Sequence, residues 1–273
     1  MKKVIEEYDV SPENMYNMDE SGFSIGEVEA SKCIINVDIR QKFQKAKPGR
    51  QEWVTSVECI CADGTAIPPL IIFKGESLSR TWIPANTDKS WCFSHNSKGW
   101  TSNLHGLEWL QRCFDPTTRE KVNGAYRMLI CDGHDSHITS DFIEFCMDNN
   151  ILLMILPPHS SHLTQPLDVG VFGALKKHMA SKLEPLLHVG ISCIQKVEWT
   201  AAFIEAHQQA FRAQNILSSF HDAGIHPYQP SKVLRQVSNS TPHQCSTCIN
   251  PLTPSNPFNS AVMTSSSTDM DAF

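Results

Sequence analysis

Seven residues in this chain have the types and spacing for chemistry on a polarised bond. The first group lies in YRMLICDGHDSHIT, where an apolar run ends abruptly at Asp132 and is followed by His134 and His137. The second lies in LPPHSSHLTQPLDVGVFGALKK, where the run Ile151 to Leu156 ends at Pro157 and Pro158, ahead of His159, His162 and Asp168. Asp19 stands alone far upstream, in YNMDESGFSIG. Three carboxylates gathered by one sheet offer hard oxygen ligands, and Mg²⁺ keeps enough of its own water that three suffice. Two such ions, roughly 3.5–4 Å apart, activate an attacking water or hydroxyl and stabilise the leaving oxygen of a phosphodiester. The histidines admit a second chemistry. Asp-x-His and His-x-x-His spacings also occur in zinc hydrolases, which would use His134, His137, His159 and His162 as ligands. Each histidine could equally be a satisfied structural one. Residue types and spacing leave these readings open.

The elements that must position these residues follow from hydrophobic patterning. Short apolar runs bounded by Gly and Pro predict buried strands, and ionisable residues at strand ends are where α/β proteins build their sites. Met128 to Cys131 delivers Asp132. Thr139 or Ser140 caps a helix carrying Phe142, Phe145 and Cys146, which Asn149-Asn150 ends before the strand at Ile151. Strand, helix, strand is a βαβ unit and implies a parallel pair. Val169, Phe172, Leu175, Met179 and Leu183 recur at steps of three or four, which puts Asp168 near a helix N-terminus, where the dipole favours a carboxylate. Met15 to Ile25 reads as a strand through Asp19; the competing reading has Asp19 or Glu20 capping a turn before Gly22. Trp53 to Cys61 and Ile67 to Phe73 flank Asp63-Gly64, a hairpin signal.

The remaining stretches are less specific. Met1 to Asn14 is polar. Glu27 to Arg50 reads as loop, strand and loop around Ile34, Ile35 and Val37, with Lys42, Lys45, Lys47 and Arg50 as a solvated basic segment. Trp82 to Gly99 reads as irregular. Thr101-Ser102 opens a helix whose apolar face is Leu104, Leu107, Leu110 and Phe114 and which Pro116 stops. Val197, Ala201, Ile204 and Phe211 mark a further helical face. After Ser238 the chain turns Ser-, Thr- and Pro-rich, a composition that predicts disorder.

Composition bounds the function. A 273-residue chain with 41% hydrophobic residues can bury a full core. No apolar run approaches the roughly 18 residues of a membrane span, and Lys2-Lys3 is not followed by a signal-peptide core. Ten cysteines without such a signal point to a reducing compartment; Cys245/Cys248 is too sparse to define a zinc site. The net charge of −6 argues against a broad basic DNA-binding face, but not against a site where metal ions meet phosphate.

The strings NMDESGF, WVTSVECICADGTAIPPLIIFKG, GWTSN, LICDGHDSHIT, LPPHSSHLTQPLDVGVFGALKK and NILSSFHDAGIHPYQPSKVL run in order from about Tyr8 to Val237. Together they resemble the DDE superfamily endonuclease domain of pogo/Tigger/jerky-type transposases, the group that includes centromere protein B. The resemblance implies an α/β, ribonuclease H-like mixed sheet flanked by helices, over residues 1–190, with 191–237 as a helical extension of the same domain and 238–273 as a tail. It implies DNA strand cleavage and transfer with two Mg²⁺ or Mn²⁺ ions, and it carries the catalytic, metal-binding triad to Asp19, Asp132 and Asp168. DNA at transposon ends and target sites is the implied partner, a homodimer one assembly open to it, and the nucleus the implied location. Two departures stand out. Asp135 occupies a position that usually holds Gly. The residues before Asp19 are too few for the helix-turn-helix module that usually precedes this domain, so a silent or domesticated remnant that binds nucleic acid or protein is the alternative expectation.

Overall fold

The computed structural model describes residues 1–25, 52–188 and 194–239. The expected strand around Ile34, the basic segment Lys42 to Arg50, Cys245/Cys248 and the tail lie outside the described residues.

Strand β1 (Met15–Ile25) is the spine of the molecule. Its side chains alternate between two cores, as a period of two requires. Met15, Phe23 and Ile25 enter one core with Val54, Ile60, Ile71, Phe73, Met128 and Ile130. Tyr16 and Met18 enter the other with Val57, Cys59, Leu70, Ile72, Leu129 and Cys131. On one flank β1 pairs antiparallel with β2 (Glu52–Cys61), and β2 with β3 (Ala66–Lys74). The hairpin turns at Asp63-Gly64 as expected: Gly64 has φ +93°, and Asp63 Oδ1 accepts from the Thr65 amide at 2.9 Å. On the other flank β5 (Arg127–Cys131) and β6 (Ile151–Ile155) run parallel to β1. Strand β4 (Cys92–Asn96) completes the order β4-β3-β2-β1-β5-β6. An antiparallel trio followed by two parallel strands is the ribonuclease H-like mixed sheet. Strand β4 corrects the irregular reading of Trp82 to Gly99. All five of its residues are half-buried, so they carry no alternation to read; backbone pairing with β3 at the sheet edge forms the strand.

Helices cover both faces. Beside the Met15 face lie α6 (Phe172–His188), α7 (Lys196–Ala210) and α8 (Ala213–Asp222). Beside the Tyr16 face lie α2 (Asn103–Trp109), α3 (Asp115–Arg119) and α4 (Ser140–Asp148). Short helices α1 (Lys2–Glu7), α5 (Ser161–Thr164) and α9 (Ser231–Asn239) complete the chain. Within the N-terminal stretch read as polar, helix α1 packs its Val4 and Ile5 on the core. Pro116 does not stop the α2 helix. A wider π-helical turn at Leu110–Phe114 carries the chain into α3, whose first turn holds Pro116, where a missing N–H costs nothing. That turn also rotates the buried face, to Trp109, Leu110, Cys113 and Phe114, and leaves Leu104 exposed. Helix α7 is rotated in the same way: it buries Trp199, Ala202, Phe203, Ala206 and Ala210, while Val197 is exposed. Its expected face was read from aliphatic residues and passed over Trp199 and the alanines.

One buried ion pair fixes β5 against the second helical layer. Arg127 donates to Asp115 Oδ1 at 2.9 Å, to Thr118 Oγ1 at 2.8 Å and to the Asn149 carbonyl at 2.8 Å. Removing the guanidinium strands a buried carboxylate. Arg127→Met is expected to lower unfolding free energy by about 3 kcal/mol, the low end for such a pair because Arg119 still faces Asp115 at 2.8 Å. Urea denaturation checks this, with the midpoint moving and the m-value unchanged.

Candidate active site

Strands β1 and β5 run parallel in the register Met15↔Met128 through Asn17↔Ile130. Two residues further along each chain stand Asp19 and Asp132. Pairing alone therefore sets these carboxylates side by side, and alternation turns both toward the α6–α8 layer. The strand runs on through Gly22 to Ile25, so neither Asp19 nor Glu20 caps a turn. The third carboxylate arrives through Asn17, which is completely buried. Its Nδ2 donates to the Ile130 carbonyl at 3.0 Å, and its Oδ1 accepts from the Leu167 amide at 2.9 Å. One side chain thus ties β1 to β5 and to the π-helical turn Leu167–Val171 that opens α6. Asp168 lies in that turn, beside the clamped Leu167, as its helical spacing predicted.

The electrostatics report the same meeting. Burial, then the charge of Asp168 and to a lesser degree that of Asp132, push the Asp19 carboxyl up to about 8. Burial also raises Asp168, with Asp132 adding repulsion and Lys176 and His162 opposing it. Asp132 goes the other way: the hydrogen bond with His137 and the His134 amide at 3.1 Å hold it below the usual carboxylate range. His137 is wholly buried, with Nδ1 3.1 Å from Asp132 Oδ1 and Nε2 3.2 Å from Glu20 Oε1. Burial works against its charge, but the bonds to Asp132, the Cys131 thiol and Glu20 outweigh that and push it up to about 12. Both ring nitrogens are engaged, one with Asp132 and one with Glu20.

This arrangement does not favour zinc ligation by the histidines. His137 has no free nitrogen, while His134, His159 and His162 are exposed. Among the described residues, no three His, Cys, Asp or Glu side chains are drawn into a metal-ligand cluster. Asp19 and Asp168 each feel the charge of neighbouring carboxylates. Their all-oxygen chemistry suits Mg²⁺ or Mn²⁺, and the raised Asp19 and Asp168 carboxyls are groups that a divalent cation would hold ionised. The Asp135 side chain lies outside the described residues.

Three residues beyond the seven named from the sequence belong to this neighbourhood. Asn17 sits on the Asp19 face by the period of two, the one signal that could have found it. Glu20 receives His137 and also Ser136 Oγ, at 3.3 Å. Gln165 is wholly buried, and neither of its amide atoms reaches hydrogen-bond geometry with a partner.

A ribonuclease H-like sheet with acidic residues from β1, the end of β5 and the start of α6 defines a class, the transposase-like nuclease fold. Residues 50–220 match the DDE superfamily endonuclease family. The chain belongs to that family and is of the pogo/Tigger type. It is 38% identical over 230 residues to a Cochliobolus lunatus protein named MFS-type transporter clz9, covering 84% of this chain and 25% of that one. It is 26% identical over 133 residues to the Homo sapiens pogo transposable element with ZNF domain, covering 48% and 9%. The chain thus spans a quarter or less of these two relatives. Among the described residues no helix is long and apolar enough to cross a membrane. Among solved structures, the Mos1 transposase paired-end complex with left transposon end aligns at TM-score 0.44 and 12% identity, over 80% of this chain and 59% of that one.

A carboxyl raised on folding binds protons more tightly in the folded state. Its contribution to stability is therefore present at low pH and lost as pH rises from about 4 toward 8. In chelator, Asp19→Asn is expected to match the parent near pH 4 and to be increasingly more stable above it, the gap opening by up to ~1.4 kcal/mol per pH unit. Denaturant unfolding across this pH range checks the sign and the window.

Proposed function

We propose that this chain is the catalytic region of a DDE transposase, cleaving and joining DNA strands with two Mg²⁺ or Mn²⁺ ions held by Asp19, Asp132 and Asp168. The observation that supports the reading is Asn17, which hydrogen-bonds to the Ile130 carbonyl and the Leu167 amide and so links the stretches of β1, β5 and the turn before α6 that carry Asp19, Asp132 and Asp168. Bound there, the ions would supply activation of the attacking oxygen and charge neutralisation at the leaving one. The chain's own residues do the rest. Asn17 fixes the spacing of the triad. His137, held as a cation, restrains Asp132 in one rotamer and places a positive charge beside the carboxylates. His134, His159 and His162 are exposed and free of metal-ligand clustering among the described residues, so they could meet phosphate oxygens of a bound strand. DNA, at element ends and target sites, is the proposed substrate and the nucleus the proposed location; both rest on family membership.

The test is Mn²⁺- or Mg²⁺-dependent nicking of a supercoiled plasmid that carries the element's ends. Asp19→Asn, Asp132→Asn and Asp168→Asn are each expected to lower the rate by roughly a thousandfold or more while leaving the unfolding transition cooperative. Nicking that survives all three substitutions overturns the assignment. A parent protein that does not nick makes the catalytically silent remnant the better reading.

A further inference from the structure

Strand β4 stands at the edge of the sheet and pairs with β3 alone, in the register Leu70↔Cys92 through Lys74↔Asn96. Alternation gives its two faces different neighbours. Phe93 packs with the core on the Met15 face. Cys92 packs with the core on the Tyr16 face, where Cys113 is buried in the π-helical turn Leu110–Phe114. Side chains tie the strand to α2 and to that turn. Ser94 Oγ donates to Glu108 Oε2 at 2.9 Å. Cys92 Sγ lies 3.9 Å from the Arg112 carbonyl oxygen, and the Cys92 and Cys113 sulfurs share a hydrogen bond.

Among the described cysteines this pair is set apart. Cys59, Cys61, Cys113, Cys131 and Cys146 are buried free thiols, and Cys92 is half-exposed. The hydrogen bond from Cys113 holds Cys92 below the ordinary thiol range; burial and Glu108 oppose this, and the Arg112 charge reinforces it. The proton stays on Cys113, which the same bond and its burial keep well above that range. Burial also raises Cys59, Cys61, Cys131 and Cys146, so they are poor nucleophiles. A sulfur open to solvent with a second thiol bonded behind it has the arrangement of a nucleophilic cysteine and its resolving partner.

We infer that Cys92 is a site of oxidation by peroxides, and that Cys113 resolves it into a reversible disulfide between β4 and the π-helical turn. The Cys92 thiolate attacks one peroxide oxygen. The S–O bond forms, the O–O bond breaks, and hydroxide leaves and takes up a proton as water. Cys92 is now a sulfenic acid, and the peroxide has been reduced by two electrons. Cys113 then attacks that sulfur; its proton goes to the departing hydroxyl, which leaves as a second water. A small dithiol restores both thiols by exchange. The disulfide closes residues 92–113 into a loop and pins the edge strand to the helical layer, which restricts the unfolded chain. In a reducing compartment such a bond is transient and redox-sensing rather than structural. The pair lies on the Tyr16 face, opposite to the one that Asp19 and Asp132 share, so the inference does not depend on the nuclease reading.

The test treats the full folded chain with hydrogen peroxide, blocks remaining thiols by alkylation and maps tryptic peptides without reduction. The expected product joins residues 90–98 to residues 113–119, and dithiothreitol separates them. In Cys113→Ala the reaction is expected to stop at the Cys92 sulfenic acid, which dimedone traps. In Cys92→Ser, which keeps the side-chain size, no such linkage forms. The oxidised parent is expected to melt roughly 5–10 °C above the reduced parent, and Cys92→Ser to show no rise. Absence of the 90–98/113–119 linkage in the folded parent overturns the inference, as do linkages through other cysteines in its place. A linkage that forms only in denaturant, or that lowers the melting temperature, overturns it too, because the fold then has to break for the two sulfurs to join.

Discussion

The site depends on one buried amide. The Asn17 side chain hydrogen-bonds to both β1's parallel neighbour and the turn that opens α6. A wholly buried amide is costly unless its hydrogen bonds are made, and here both ends are used. Neither partner is a side chain. Each is backbone next to a carboxylate-bearing stretch, so the amide fixes main-chain positions rather than rotamers. Asp168 follows Leu167 directly, and Asp132 lies two residues beyond Ile130. The placement of the stretches that carry Asp19, Asp132 and Asp168 is therefore tied by main-chain bonds to Asn17.

That division of labour matters because the carboxylates themselves oppose folding. Asp19 is buried within the field of Asp168 and Asp132, and its raised carboxyl records an unfavourable charge. The clamp, the two hydrophobic layers and the Arg127–Asp115 pair supply the stability that offsets it. Asp132 is held low by His137, and that histidine is in turn shared with Glu20.

Much of this was legible in the sequence for identifiable reasons. Apolar runs closed by Gly and Pro marked β5, β6 and the β2–β3 hairpin, and turn chemistry at Asp63-Gly64 fixed the last. Helical spacing from Val169 onward placed Asp168 at a helix start. What escaped was whatever a period cannot carry. Strand β4 exists through edge pairing and has no alternation. The π-helical turn at Leu110–Phe114 adds residues to the helical period, so the face read from Leu104 rotated away from the core. Asn17 and Gln165 are neutral amides, whose importance comes only from which backbone or carboxylate they happen to face.

The central claim is that Asp19, Asp132 and Asp168 form one cation site. Isothermal calorimetry of Mn²⁺ binding measures it most directly, on the parent chain and on Asp132→Asn and Asp168→Asn. The account requires saturable binding in the parent that either substitution abolishes, because residues on separate elements then share the same ion. Binding unchanged by both substitutions, or no binding by a folded parent, would contradict it.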